Sequence, residues 1–288
     1  MYIPYGYELP KETVGWEEYV RCEKGMITQR SLAFEEVNTD YILFCDDDIS
    51  LEPDSVARLF QGLKENNGDC ISPNTFPNEK ASIIGKLKAA IAGYAFPRKD
   101  DGWAFRVMRN GSYTYNRKPS KEVLPTESAA GPCMLIKNEV YHAIHFDDER
   151  WLEKFGYPLG EDLLFYNKLH IMGFKVLVHY KSGIVHLDAG TSSKKLPVDW
   201  PERYAALWYI IQYRIKYSLA ITRKEKALCI ISNVIRNIEQ ICFTLVKELL
   251  KNRRLAFFSY LRGIKKGMAY VRSNEYKSIP AFDAYVKK

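Results

Sequence analysis

Apolar positions first fall into a clear rhythm near Gly25. GMITQRSLAFEEV predicts a helix that ends at the Asn38-Thr39-Asp40 turn, and Tyr41 to Phe44 then reads as a short buried strand. Ile49 to Asp54 leads into a second helix with Pro53 in its first turn, a position that proline's fixed φ suits. Val56, Leu59, Phe60 and Leu63 follow the helical spacing and predict one apolar face. Asn66-Asn67-Gly68 stops that helix, and Asp69 to Pro73 predicts the next strand. Strand, helix, strand is the grammar of an α/β sheet. Residues 1–24 have weak periodicity and read as a lead-in segment with no assigned fold.

Residues 74–128 are less regular. Ile83, Ile84, Leu87, Ala90 and Ile91 predict an amphipathic helix, and RNGSYTYNRKP a mobile loop. Glu127 to Lys137 runs from small residues into an apolar strand. Glu161-Asp162 opens a helix lined on one side by Phe165, Leu169 and Met172 and stopped by Gly173. FKVLVHY and GIVH predict two further strands, and LDAGTSS a small polar loop. From Trp200 the chain reads as helical almost to its end, with apolar and basic residues interleaved.

The 288 residues are 47% hydrophobic and 27% charged, ordinary for a folded protein and long enough for one large domain with an appendage. The net charge of +7 is unevenly placed: residues 201–288 carry +12 and residues 1–200 carry −5. A basic helical segment suits an anionic membrane surface, and the plainer reading is packing helices with a solvated basic face. A nucleic-acid partner would leave the acidic residues without a role. The six cysteines form no CxxC pair and no zinc-like spacing, so they read as buried free thiols in a reducing compartment. MYIPYGYELPKE lacks the basic-then-apolar pattern of a signal peptide, and no continuous run reaches the roughly 18 apolar residues of a membrane span. The expected location is the cytoplasm, peripheral on the inner face of the membrane.

The chemistry concentrates at Asp46-Asp47-Asp48, directly after the predicted strand. Three adjacent carboxylates repel one another, and burying them requires a positive partner. Strand ends are also where α/β sheets bind ligands. A divalent cation bridging to ligand phosphates satisfies both conditions; the competing reading is a solvated acidic turn after an edge strand. Glu161 and Asp162 open a helix, where its dipole favours carboxylates whatever their role. His142, His145, His170 and His179 read as surface or packing residues. His186 differs, because it ends a strand beside a loop suited to lining a site.

In order, GMITQR, YILFCDDD, GEDLLFYNKLHIMGFKV and GIVHLDAG resemble the inverting family 2 glycosyltransferases of the GT-A fold, over about residues 25–190. The helices after Trp200 are similar to those of bacterial members that build surface polysaccharides. The resemblance implies an α/β fold, a mixed sheet flanked by helices. It also implies transfer, of hexosyltransferase type, from a nucleotide-sugar (UDP- or dTDP-sugar) to a glycan or lipid-linked acceptor. It assigns Mn2+ or Mg2+ to Asp48, with Asp46 on the ribose or metal shell, Asp47 sharing either role, and His186 as a downstream metal or diphosphate ligand. Arg30 would reach the nucleotide or diphosphate. Asp162 would be the general base and Glu161 would orient the acceptor, while Gly131 and Cys133 would shape the acceptor pocket.

Members of that family begin with an apolar strand, a helix and a second strand, and residues 1–24 do not read that way. The expectation is therefore a lead-in (1–24), an N-terminally incomplete GT-A domain (25–199) with an exposed sheet edge, and a basic amphipathic helical tail (200–288). An inactive, membrane-associated interaction protein is the rival reading. A metal-dependent phosphohydrolase is a third, but it leaves the Glu161-Asp162 helix and His186 unexplained.

Overall fold

The β-branched and apolar runs assemble around one mixed sheet. The computed structural model describes residues 2–9, 11, 15–31, 37–75, 96–98, 100–116, 118–156, 159–187, 199–251 and 255–286. The predicted helix at Ile83–Ile91 and most of the LDAGTSS loop lie outside them. The chain opens with β1 (Tyr2–Pro4) and β2 (Val20–Cys22), paired in parallel with Tyr2 opposite Val20, so the lead-in is a small two-stranded ribbon. Then come α1 (Met26–Arg30), β3 (Tyr41–Cys45), β4 (Ile49–Leu51), α2 (Ser55–Glu65), β5 (Cys70–Pro73), β6 (Phe96–Arg98), β7 (Phe105–Val107), β8 (Tyr113–Asn116), β9 (Val123–Pro125) and β10 (Cys133–Lys137). The remainder is α3 (Asn138–Ala143), a 3-10 segment (Phe146–Phe155), α4 (Glu161–Ile171), β11 (Val176–His179), β12 (Ile184–His186), α5 (Trp200–Gln212), a π-helical turn (Tyr213–Tyr217), α6 (Arg223–Lys251), α7 (Leu255–Tyr270) and α8 (Asn274–Ser278).

The main sheet runs β3-β10-β5-β11-β9. β5 and β11 are parallel, and β10 is antiparallel to both β5 and β3. β5 and β11 are buried throughout, and β10 over Cys133–Ile136, which matches their unbroken apolar character. β3 is not the buried strand its composition suggests. Among the described residues it has a partner on one side only, and Leu43 and Cys45 are exposed. An exposed edge was expected, and among the described residues β3 is one. RNGSYTYNRKP is not a loop throughout: Tyr113–Asn116 form β8, between β6 and β7, with Thr114 and Asn116 buried. Aromatic and β-branched residues favour a strand once partner strands exist to pack against.

Two helices bury different faces from those predicted. In α2 the inward residues are Ser55, Leu59, Gly62 and Leu63, whereas Val56 and Phe60 are exposed. Gly62 permits a close approach, since a Cβ there would lie 2.9 Å from the His179 ring. Phe60 instead packs edge-on against Tyr41, ring centroids 5.2 Å apart. In α4 every residue from Leu163 to Leu169 is buried, so it is a central helix rather than one with a single apolar side. Its buried Lys168 is satisfied by His145 O at 2.8 Å and Asp148 at 3.0 Å.

The C-terminal helices share the main core. Leu207, Ile210 and Ile211 of α5, with Ile215, Val271, Tyr276 and Phe282, pack in the same cluster as α4 and β10. Gly263 and Gly267 let α7 cross close to Glu202, Ala206 and Tyr209 of α5. A buried ion pair fixes the join, with Arg214 Nε donating to Glu149 Oε2 at 2.6 Å. α6 is inside out: Cys229, Arg236 and Gln240 are buried, while Ile230, Ile231, Val234, Ile235 and Ile238 are about half exposed. Over Arg223–Val246 it is long and apolar enough, by length and composition alone, to cross a membrane. Ser232, Asn233, Asn237 and Gln240 interrupt the apolar run, so no continuous apolar span stands in the sequence. Of the six free cysteines, Cys45 and Cys242 are exposed, which corrects the expectation of uniform burial.

Candidate active site

The site begins with a short helix held in place from afar. α1 has no side-chain cap of its own. Glu153 supplies one, its Oε1 accepting from Ile27 N at 2.8 Å and Thr28 N at 3.0 Å. A carboxylate at a helix start satisfies orphan N–H groups and complements the helix dipole. Ile27 anchors the helix in the core, and the Tyr141 hydroxyl donates to Arg30 O at its other end.

Arg30 is thereby aimed into a cluster of carboxylates. Its Nη1 lies 2.9 Å from Asp162 Oδ1 and 3.8 Å from Glu161 Oε1, and its Nη2 lies 3.6 Å from Asp46 Oδ1. Burial alone would lower the guanidinium pKa; the charges of Asp162, Glu161 and Asp46 outweigh it and raise the value. One cation facing three carboxylates leaves the cluster negative. Two unit charges ~4 Å apart at an effective dielectric of ~20 interact by ~4 kcal/mol, so the cluster holds a proton or recruits a cation. The Glu161 carboxyl is accordingly raised well above the usual range, by burial first and by Asp162 next, with Arg30 opposing. Burial also raises Asp46; Asp162 and Asp48 add to the rise, while Arg30 and His186 oppose it.

The second half of the site is a two-stranded ribbon. β4 and β12 pair antiparallel with Ile49 opposite His186, and Leu187 N donates to Asp48 O at 2.8 Å. This register brings His186 Nε2 within 3.1 Å of Asp48 Oδ1, both side chains mostly buried. The remaining aspartate, Asp47, is exposed in the turn.

Asp162 is held from its other side. Its Oδ2 accepts from Gly131 N at 3.0 Å, and a Cβ at Gly131 would overlap the carboxylate. The Ala130 carbonyl beside it accepts from Ser72 Oγ at 2.9 Å, which pins the small-residue loop to β5. Cys133 faces Cys45, the sulfurs 3.5 Å apart. Of the predicted residues, Arg30, Asp46, Glu161 and Asp162 meet directly and Asp48 and His186 meet each other, with Asp46 between the two groups. Glu153 and Tyr141 escaped the sequence reading, since nothing local to either marks a partner on α1. His170 packs edge-on against Trp103 and His145 stacks on Tyr285, in keeping with packing roles.

Among the described residues, no group of three or more His, Cys, Asp or Glu side chains is placed to enclose a metal. Asp48 and His186 offer one carboxylate and one imidazole. That donor set fits a divalent cation completing its shell with phosphate oxygens and water, as Mg2+ commonly does, rather than a closed structural site.

A mixed α/β sheet with an acidic turn at a strand end, facing the Glu161-Asp162 carboxylate pair, is a GT-A-like arrangement. Residues 18–144 match the family model described as glycosyl transferase family 2. A search of curated proteins returned no match. The matched range contains Arg30 and Asp46-Asp47-Asp48; Glu161, Asp162 and His186 lie beyond it.

Proposed function

We propose that the chain is a metal-dependent, inverting glycosyltransferase that moves a hexosyl group from a UDP- or dTDP-sugar to a glycan or lipid-linked acceptor. The observation that carries this reading is the position of Arg30, which reaches both Asp46 at the acidic turn and Asp162 at the start of α4. Donor-side and acceptor-side carboxylates therefore share one counter-ion.

Asp48 and His186 would hold Mn2+ or Mg2+, with Asp46 able to join the metal shell and Asp47 at its rim. When bound, the cation neutralises the charge on the departing diphosphate. Arg30 suits the same diphosphate as a planar donor. A diphosphate that draws Arg30 away frees Asp162 to accept the acceptor hydroxyl's proton, while Gly131 N keeps the carboxylate oriented. Burial favours the protonated carboxyl of Glu161, which would donate a hydrogen bond to position the acceptor.

The proposed location is the inner face of the membrane, in support of polysaccharide assembly. The isoleucine stripe of α6 points outward while Arg236 of the same helix is buried, and Arg223, Lys224 and Lys226 flank it exposed. An apolar strip bordered by cations suits an anionic lipid surface.

Calorimetric binding of UDP and dTDP with and without Mn2+ tests the site. Metal-dependent binding that Asp48→Ala abolishes, together with an Asp162→Asn variant that binds but does not transfer, is the expected outcome. Wild-type transfer by Asp162→Asn would remove the assignment of the base. A folded chain that binds no nucleotide would favour the inactive interaction protein.

A further inference from the structure

Cys45 and Cys133 hold none of the metal, diphosphate or proton-transfer roles proposed above, and they stand directly opposite each other on β3 and β10. Asp46 N donates to Pro132 O at 2.8 Å on the next rung, so Asp46 and Pro132 occupy a hydrogen-bonding position of the ladder. Cys45 and Cys133 are therefore a non-hydrogen-bonded pair, the position where antiparallel side chains come closest and Cα atoms are ~4.5 Å apart. That separation lies within the range disulfides span, ~4.4–6.8 Å. The two sulfurs are already 3.5 Å apart.

Their surroundings differ in a useful way. Cys45 is exposed at the sheet edge, and Cys133 is fully buried beneath it. An accessible thiol meets oxidants first, and a neighbouring thiol that solvent cannot reach resolves the product. Closing the sulfurs from 3.5 Å to the ~2.05 Å of a disulfide requires β3 to shift slightly. With a single ladder partner among the described residues, β3 is the more yielding side.

We propose that Cys45 and Cys133 form a reversible thiol–disulfide site on the rim of the acidic cluster, oxidised by low-molecular-weight disulfides such as oxidised glutathione. The Cys45 thiolate attacks one glutathione sulfur, breaking that S–S bond and releasing one glutathione as thiol. The Cys133 thiol then attacks Cys45 Sγ, forming the protein disulfide and releasing the second glutathione, which takes up the Cys133 proton. Two protein thiols are oxidised, one glutathione disulfide is reduced to two thiols, and the two protons leave with them. The site goes beyond the glycosyltransferase reading and does not depend on it.

The test uses the full chain equilibrated in glutathione buffers of graded redox potential, acid-quenched, unfolded, alkylated and read by peptide mass spectrometry. The expected result is joint loss of alkylation at Cys45 and Cys133 through one two-electron transition. A linked peptide pair lighter by two hydrogens should appear, and dithiothreitol should reverse it. Cys133→Ala should accumulate the Cys45–glutathione adduct that the wild type resolves. Two findings in the wild type would overturn the proposal: a stable glutathione adduct on Cys45 with Cys133 still alkylatable, or both thiols surviving the most oxidising buffer. Because the readout is the bond itself, a chain that binds no nucleotide leaves this result unaffected.

Discussion

Arg30 Nη1 donates to Asp162 Oδ1 at 2.9 Å across 132 positions of sequence, and this pair joins the acidic turn to the start of the central helix α4. Removing the cation should affect binding and stability together. Arg30→Ala leaves Asp46 and Asp162 facing one another beside Glu161 with no cation between them, so stability should fall. A urea denaturation midpoint that drops at neutral pH and partly recovers in acid, where the carboxyls take up protons, is the expected result.

Glu161 sets a pH dependence whose sign follows from its raised pKa. Folding favours the proton on this carboxyl, whereas the unfolded chain releases it above about pH 4.3. Its contribution to stability is full below that value and is lost as pH rises through the elevated folded pKa. Glu161→Gln should therefore melt higher than wild type at neutral and alkaline pH, with the difference vanishing in acid. Equal melting curves for the two chains across that range would show that Glu161 is not protonated in the fold.

Gly131 sits where a side chain would collide with the Asp162 carboxylate. Gly131→Ala should displace Asp162 and sever its bond from Gly131 N. We expect transfer to fall at least tenfold while stability drops by about 1–3 kcal/mol, the usual cost of overpacking. Kinetics and denaturation on the same preparation check both.

Glu149 binds Arg214 deep in the join between the sheet and the C-terminal helices, and Trp151 Nε1 donates to the same carboxylate at 2.7 Å. Glu149→Ala leaves a buried guanidinium unpaired and should cost about 3–5 kcal/mol, read as a lowered denaturation midpoint. The effect belongs to folding, so any residual folded fraction should bind nucleotide normally.

The outer stripe of α6 yields a prediction of the opposite kind. Ile231→Glu with Ile235→Glu should leave the melting temperature within a degree or two, because both side chains are about half exposed. The same double variant should lose most binding to vesicles containing anionic lipid, measured by co-sedimentation. Unchanged vesicle binding would separate α6 from the membrane.

Local pattern was enough to place β3, α2, β5, β11 and the acidic turn, because strand and helix periods are written in adjacent residues. It also marked Glu161 and Asp162 at a helix start and the three aspartates at a strand end, whereas Arg30 joined the candidate set only through the family resemblance. It misjudged which side of α2 is inward, since Leu59 and Phe60 are equally apolar and only Gly62 against His179 decides how the helix seats on the sheet. Nor could it show that β3 lies at an edge, which depends on which strands pair with it.

What the chain's own sequence determined is the inventory: an alternating α/β order, three consecutive aspartates at a strand end, and a basic helical C-terminal third. Tertiary structure alone decided how that inventory works. It set Arg30 against carboxylates from two distant segments, recruited Glu153 to cap α1, paired Cys45 with Cys133, and turned the isoleucines of α6 outward. Each of these rests on faces meeting across long sequence separations, where packing, register and charge compensation choose among partners that look alike in the sequence.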